Sequence, residues 1–246
     1  MNALFKPWSN TLARISLAAV ALGGGGAIGG MMLYVRSPLF TQQGDPIEQP
    51  VQFDHRHHVG EVGIDCRYCH TQVEKAASAG MPPTSLCLNC HAQIWNKSPK
   101  LAPVREAFFT NTPIQWEKVY KLPHYVYFNH SIHVAKGVGC ATCHGRVDTM
   151  AAIEKVPTLA MGWCLDCHRA PEQYLRPKDE VVNLKWEAPR THEAAVRELV
   201  SHGIAKDAAA AEPLLALNAD PKLAFGLALK QENHVHTRES CSTCHR

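Results

Sequence analysis

The pattern Cys-x-x-Cys-His occurs five times in the chain and uses all ten of its cysteines. Two cysteines three residues apart lie on one face of a helical turn, where their sulfurs can form thioether bonds with the two vinyl groups of one porphyrin. The histidine that follows is then placed to bind the porphyrin iron. The pattern therefore predicts five covalently attached haems of the c type. The cysteines are Cys66, Cys69, Cys87, Cys90, Cys140, Cys143, Cys164, Cys167, Cys241 and Cys244, and the proximal histidines are His70, His91, His144, His168 and His245.

A zinc knuckle is the alternative, because a Cys-x-x-Cys pair is also half of a zinc site. Zinc does not require a histidine after every second cysteine, whereas here a histidine follows in all five copies. We therefore favour haem attachment and expect a multihaem cytochrome. Its cysteines must be handled outside the reducing cytosol.

The charge of the polypeptide is a poor guide to its partners. The formal net charge is +3, but five haems bring about ten propionate charges, offset in part by the ferric cores, so the loaded protein is expected near neutral or mildly acidic. No basic run with interleaved aromatic residues indicates a nucleic-acid partner.

The expected fold class is mainly α with much irregular structure, because strand patterns are weak throughout. Five macrocycles in fewer than 200 soluble residues fill space that side chains usually fill. We therefore expect short helices that carry the attachment motifs, joined by long irregular connections.

An uncharged stretch from residue 15 to residue 35 is long enough to cross a bilayer as a helix. It predicts a cytoplasmic N-terminus over 1–14, a transmembrane anchor over 15–35 and a linker over 36–52. A cleavable signal peptide is the alternative, disfavoured because the apolar stretch is long and no Ala-x-Ala-like cleavage site follows it. Gly25 and Gly29 have the Gly-x-x-x-Gly spacing that lets two transmembrane helices approach closely.

An internal repeat organises the soluble part, which is taken as one pentahaem domain over 53–246. The pattern Phe-x-His-x-x-His precedes the first and the third attachment motif, and a motif beginning Cys-Leu follows each time. Two two-haem units are therefore expected over 53–91 and 128–168. Segments 92–127 and 169–233 are insertions, and 234–246 carries a fifth haem.

The repeated histidines are the natural sixth ligands of the iron, because a low-spin electron-transfer haem needs both axial positions filled. Their recurrence at matching distances from a motif selects four distal ligands, His55, His58, His130 and His133. For the fifth haem, His234 has the same offset from its motif as His133, and His236 and Met161 are alternatives. Met81 and Met150 are weaker candidates, and His57, His124, His192 and His202 have no counterpart in the repeat.

The insertion 169–233 is expected to form two or three amphipathic helices. Thr191 is a candidate cap for one of them, and Asp220-Pro221 has the composition of another helix start. The alanine-rich stretch at 208–211 is interpreted as a loose connection. This insertion is either a docking surface or a cover over the haems.

The histidine arrangement before each repeated motif resembles the class III cytochromes c, in which the first histidine serves the haem that follows and the second serves another haem. The order of one N-terminal span, FDHRHHVGEVGIDCRYCH, FNHSIHVAKGVGCATCHGRVD, MGWCLDCHR and a terminal CSTCHR is similar to the pentahaem cytochrome subunits of bacterial alternative complex III. The resemblance is dense over 53–91 and 128–168 and absent over the two insertions.

That resemblance implies an electron-transfer subunit, itself not an enzyme, of a quinol-oxidising complex in the bacterial inner membrane, with its haem domain on the periplasmic side. The implied partners are an iron–sulfur subunit related to molybdopterin oxidoreductases, polysulfide-reductase-like membrane subunits and a monohaem cytochrome c. Electrons would pass on to a terminal oxidase or a soluble cytochrome.

Two other classes stay open as alternatives. A membrane-anchored quinol dehydrogenase similar to NapC and NrfH shares the single span, but the fifth haem and the linker over 36–52 argue against it. A multihaem reductase with an open iron is disfavoured because the Cys-x-x-Cys-Lys motif of pentahaem nitrite reductases is absent.

Overall fold

The computed structural model describes residues 6–245 and divides into two units, one ending at Gly44 and one beginning at Asp45. The first five residues of the expected cytoplasmic segment 1–14 lie outside the described residues. Each unit is described by itself below.

The N-terminal unit is dominated by helix α1, Ser9–Tyr34, of 26 residues. It begins six residues before the predicted span and ends one residue before the predicted end. None of its side chains is buried, and by length and composition it is able to cross a membrane, a property that an N-terminal signal sequence shares. A short helix α2, Pro38–Thr41, follows it.

The second unit is built from short helices and irregular connections, and within the described residues it contains no β-strand. Two isolated bridges pair Pro46 with Glu154 and Val138 with Leu175. The α-helices are α3 Cys66–Cys69, α4 Thr84–His91, α5 Ala102–Phe109, α6 His130–Ala135, α7 Cys140–His144, α8 Met161–Arg169, α9 His192–Ser201, α10 Ala208–Leu215, α11 Pro221–Glu232 and α12 Cys241–Cys244. A π-helix spans Arg56–Glu61, and 3₁₀ turns span Pro99–Leu101, Val147–Thr149, Pro171–Gln173 and Lys178–Glu180. The expectation of a mainly helical chain with much irregular structure is confirmed at this level.

Side-chain caps determine where several helices begin. Thr191 accepts a hydrogen bond from the backbone N–H of Ala194, and Asp220 accepts one from Lys222 with Pro221 in the first turn. Both helix starts agree with the sequence prediction.

The interpretation of 208–211 as a loose connection is wrong. These alanines begin helix α10, because alanine has the highest helix propensity and Asp207 caps them by accepting from the N–H of Ala210, at 2.9 Å.

The apolar core of the second unit lies within the insertion 169–233, where helices α9, α10 and α11 pack together. Its most buried large side chains include Leu199, Phe225 and Leu229. At Gly226 helix α11 comes so close to the carbonyl oxygen of Glu172 that a Cβ atom would collide with it. The insertion is therefore a small helical layer with its own core.

The same insertion also forms backbone hydrogen bonds to the third attachment motif and to the residues just before it. The backbone N–H of Arg176 donates to the carbonyl of Gly137, and the N–H of Cys140 donates to the carbonyl of Val181, both at 2.9 Å. Leu175 joins this contact to the apolar core through its bridge to Val138. Segment 175–181 therefore fixes the chain at the point where helix α7 begins.

Candidate haem-binding sites

All five attachment motifs lie on a helical turn, as their spacing predicts. Numbered in chain order, the first to fifth sites have their cysteines on α3, α4, α7, α8 and α12. Each pair of cysteines thus faces one side of a turn, with the following histidine within one residue of the helix end. None of the ten cysteines forms a disulfide.

Burial raises the pKa of seven of the ten thiols and so favours the neutral form of their sulfur. Burial raises the pKa of Cys140 and Cys167 to about 11 and the pKa of Cys143 to about 12, and nearby thiols add to the effect. Zinc binds the thiolate, which these sites disfavour, whereas a thioether carries no charge. Within residues 6–245, no group of three or more His, Cys, Asp or Glu side chains is arranged to hold a metal ion.

Three pairs of predicted proximal and distal histidines have ring centres at one nearly constant separation. The centroid separations are 6.1 Å for His58 and His91, 6.4 Å for His130 and His144, and 6.2 Å for His133 and His168. Two imidazoles bound on opposite sides of one metal would have ring centres about 6.2 Å apart, since each metal–nitrogen bond is about 2.0 Å and each ring centre lies about 1.1 Å behind its nitrogen. The separation of each pair would therefore fit one iron between the two rings.

Hydrogen bonds to backbone carbonyls fix the tautomer of seven of the predicted proximal and distal histidines. A carbonyl oxygen only accepts, so in the neutral ring Nδ1 carries the proton and Nε2 keeps its lone pair for a metal. The bonds, of 2.6 to 3.0 Å, run from His58 to Asp54, His70 to Gly80, His91 to Ile94, His130 to Ala77, His133 to Asn129, His168 to Arg238 and His245 to Tyr125.

The two halves of the sequence repeat have the same local geometry. Phe53 stacks on His58 with centroids 4.2 Å apart and planes at 23°, and Phe128 stacks on His133 at 4.6 Å and 24°. Each phenylalanine also meets the first histidine of its repeat edge-on, at 4.7 Å from His55 in the first half and 4.8 Å in the second. The phenylalanine thus orients both histidines, which explains its place in the repeated pattern.

His55 differs from its counterpart His130 in one respect. Its Nδ1 is buried without a hydrogen-bond partner among the described residues, whereas His130 donates to Ala77. Burial lowers the pKa of His55 to about 4, and the strongest charge interaction that adds to this is with His70. His55 therefore lies beside the first proximal histidine as a neutral imidazole.

The fifth site has a proximal histidine but no facing imidazole among the described residues. The ring of His245 contacts Tyr125, at 5.7 Å between centroids. His234 and His236 are both exposed and have no ring contact with His245, and Met161 is 67% exposed at the start of α8. The identity of this distal ligand stays a prediction.

The four histidines without a repeat counterpart lie elsewhere. Nδ1 of His57 pairs with Glu61 at 2.7 Å, and Nε2 of His192 pairs with Glu212 at 3.0 Å. His202 lies between two carboxylates in the helical insertion, and His124 is exposed. Three of these rings therefore contact carboxylates.

Two side chains at the third site were not singled out from the sequence. The ring of Tyr120 meets His144 edge-on at 4.5 Å, and its hydroxyl donates to the carbonyl of Glu154. The Arg176 guanidinium is buried beside Gly139, donates to the carbonyl of Asn183 at 2.8 Å and lies 5.0 Å from the ring centre of Trp186. Both come from insertions without a motif, so no local pattern marks them.

The residues of the first four sites therefore suit a covalently held, axially ligated haem. Paired cysteines lie on helical turns, and histidines whose Nδ1 is bonded to a backbone carbonyl offer Nε2. Burial lowers the pKa of His133 and brings the pKa of His144 to about 4, which keeps both imidazoles uncharged. The fifth site matches the others on its proximal side.

Comparisons with known proteins agree with this chemistry. Residues 126–195 match the family described as "Cytochrome c7 and related cytochrome c", so this part of the chain is similar to multihaem c-type cytochromes. The chain is also similar to the multihaem cytochrome c subunit of menaquinone reductase from Nitratidesulfovibrio vulgaris, with 34% identity over 98 residues. That alignment covers 39% of this chain and 46% of the relative, so the chain spans less than half of the relative's length.

Proposed function

We propose that the chain is a pentahaem electron-transfer subunit of a membrane quinol-oxidising complex of the alternative complex III type. The observation that carries the proposal is the set of three histidine pairs, each with ring centres 6.1 to 6.4 Å apart and each containing the histidine of an attachment motif. Sites with both axial positions filled pass electrons and have no open position for a substrate.

In this proposal the first histidine of each repeat serves the site that directly follows it, and the second serves the next site along the chain. His55 pairs with His70 and His58 with His91 in the first unit. In the second unit His130 pairs with His144, and His133 pairs with His168. His245 takes its distal ligand from His234, with His236 and Met161 as alternatives.

The cofactor, when bound, supplies a one-electron iron(III)/iron(II) couple at each site. The chain's own residues attach it through the cysteine sulfurs and orient the axial rings. The carbonyl partners of Nδ1 make the imidazoles better electron donors to iron. Burial around the third site keeps solvent away and so affects its potential.

A membrane location is supported by the length and composition of α1 and by the relative, whose name assigns it to a menaquinone reductase. We propose an uncleaved anchor in the bacterial inner membrane with the haem domain on the periplasmic side. The proposed partners are an iron–sulfur subunit related to molybdopterin oxidoreductases, polysulfide-reductase-like membrane subunits and a monohaem cytochrome c.

The relative's name also favours a second candidate function with the opposite electron direction, which is quinone reduction. The two candidates share the same sites and differ in whether electrons leave or reach the quinone. Their common chemistry is the exchange of two electrons and two protons with a quinone, while the haems carry one electron each.

One experiment tests these proposals together. The complex that co-purifies with the chain in mild detergent is identified and assayed in both directions, with menaquinol plus oxidised cytochrome c and with menaquinone plus a reduced donor. Turnover of menaquinol by the complex, but not by the isolated subunit, supports the main proposal. Faster menaquinone reduction supports the second candidate, and quinol oxidation by the isolated subunit supports the anchored quinol dehydrogenase class. Strong carbon monoxide binding to the native ferrous protein reveals an open iron and supports the reductase class.

A further inference from the structure

Contacts between the attachment sites give them a definite order in space, which differs from their order in the chain. The first and second sites adjoin directly. Tyr68 and Asn89 lie inside the first and second motifs, and Nδ2 of Asn89 donates to the Tyr68 hydroxyl at 3.4 Å.

The first site also adjoins the third, through segments on both sides of each motif. Before the first motif, the backbone N–H of Arg56 donates to the carbonyl of Met150, which follows the third motif, at 3.1 Å. After the first motif, the carbonyl of Ala77 accepts from Nδ1 of His130, which precedes the third motif, at 2.8 Å. The first site therefore lies between the second and the third.

The fourth site is connected to the third on one side and to the fifth on the other. Helix α6 leads into the third motif and brings His133 opposite His168 of the fourth site. Nδ1 of His168 donates to the carbonyl of Arg238 at 2.9 Å, and Arg169 forms an ion pair with Glu239 at 2.9 Å. Arg238 and Glu239 lead directly into the fifth motif.

Exposure distinguishes the two ends of this series from its middle. Cys90 of the second site and Cys241 of the fifth are exposed, whereas the other eight cysteines are partly covered. Trp95, next to the second site, is 65% exposed and Tyr125, against the fifth, is 64% exposed, compared with 46% for Tyr68 in the first motif. A redox partner therefore has access at these two ends.

We propose that the five sites form one unbranched series in the order second, first, third, fourth, fifth, with electrons entering at one end and leaving at the other. The proposal rests on the proposed function, since it requires a haem at each site. Electron transfer is fast only between near neighbours, so the third site is the obligatory middle. The second and fifth sites face the donor and the acceptor.

The first test uses the wild-type subunit in its purified membrane complex, imaged by cryo-electron microscopy. The four shortest iron–iron distances are expected to join second to first, first to third, third to fourth and fourth to fifth. A second-site iron nearest to the fourth or fifth site, or a fifth-site iron nearest to the third, overturns the order. Counting covalent haems by mass on the same sample separates the two failures, because a missing haem contradicts the proposed function, whereas five haems in another order contradict only the series.

The second test removes sites one at a time and follows haem reduction by stopped-flow absorbance after mixing the complex with its donor. Without the middle site (Cys140→Ser with Cys143→Ser), two of the four remaining haems should reduce rapidly and two slowly. Without an end site (Cys87→Ser with Cys90→Ser, or Cys241→Ser with Cys244→Ser), either all four or none should reduce rapidly, and the difference assigns the donor end. Rapid reduction of all four haems in the middle variant contradicts the proposal. If that variant does not fold, the iron–iron distances of the wild type decide.

Discussion

Nδ1 of His130 donates a hydrogen bond to the carbonyl oxygen of Ala77, a residue 53 positions earlier in the chain, at 2.8 Å. The backbone N–H of His130 donates to the same carbonyl at 3.1 Å. A turn in the first repeat unit thus sets the tautomer and orientation of a histidine in the second. The two repeat units are therefore not independent, because a backbone carbonyl of the first orients a histidine of the second.

Replacing His130 with Ala should convert one low-spin haem to high-spin and leave the other four low-spin. The iron of the third site would lose one of its two axial nitrogens, while its cysteines and His144 stay in place. Electron paramagnetic resonance of the oxidised protein counts the signals. His58→Ala and His133→Ala should each do the same at the second and fourth sites.

His57→Ala is the matched control for these variants, since His57 directly precedes His58 but pairs with Glu61. It should leave all low-spin signals in place. Five unchanged low-spin signals in the His130→Ala protein would contradict the repeat-based ligand assignment.

The intact protein should carry the mass of five haems and should begin at its own N-terminus. The expectation rests on five motifs, each on a helical turn, and on the missing cleavage site after α1. Intact-protein mass spectrometry measures both quantities. A chain shorter by its first ~30 residues would show that α1 is a removed signal sequence.

The sequence was sufficient for the parts of the sites that depend on local spacing. The motif on each helical turn and the helix starts at Thr191 and Asp220 follow from patterns a few residues long, and the structure agrees with them. The repeated Phe-x-His-x-x-His pattern also has one geometry in both halves, because Phe53 and Phe128 orient the histidines beside them.

Contacts between segments that are far apart in the chain could not be predicted from the sequence. No local pattern links His130 to Ala77, and none marks Arg176 as the residue buried against Gly139. The helix at 208–215 was missed because an alanine run was interpreted as loose, although Asp207 was present to cap it. The distal partner of His245 also depends on long-range packing. The equal sequence offset of His234 and His133 from their motifs is therefore not enough to identify it.

Gly25→Leu and Gly29→Leu should release the cytochrome from its membrane partners and leave haem attachment unchanged. At either glycine, the position that a Cβ atom would occupy has no other side chain or distant backbone atom of the chain within 4 Å. Added bulk there therefore acts on neighbouring subunits and not on the fold. A leucine at a small-residue interface separates two helix backbones. Co-purification of the other subunits measures the effect.

Ala27→Leu is the control, because residue 27 lies on the opposite side of the helix from Gly25 and Gly29. It should keep the partners bound. Partners retained after both glycine substitutions would make α1 a plain anchor.

Gly226→Ala should destabilise the helical insertion by about 1–3 kcal/mol, the usual range for overpacking a core. The added methyl group would meet the backbone carbonyl of Glu172, which has no side-chain freedom to move away. Thermal unfolding followed by far-ultraviolet circular dichroism measures the change. Lys222→Ala, an exposed change on the same helix, should have little effect, and equal stability of the two variants would contradict the close approach of α11 to residue 172.

The pH dependence of stability should contain a contribution from His202. Nδ1 of His202 lies 2.7 Å from Asp179 and Nε2 lies 3.1 Å from Glu198, so both nitrogens donate to carboxylates and the ring is held as an imidazolium. Burial by itself lowers the pKa of His202, but the hydrogen bonds and charges of Asp179 and Glu198 outweigh it, and the pKa is raised.

A raised pKa in the folded state means that protonation of His202 stabilises the fold. The contribution is fully present below the unfolded value of about 6.5 and is lost as the pH rises through the higher folded value. The difference in melting temperature between wild type and His202→Gln should therefore be largest near pH 5 to 6 and should shrink at alkaline pH, as roughly expected from the reference pKa. Other titrating groups are common to both proteins and cancel in the difference.

Asp179→Asn should give the same trend with a smaller amplitude, because the Asp179 side chain is 68% exposed. A difference that grows with pH would show that His202 is held neutral and that the carboxylate contacts do not protonate it.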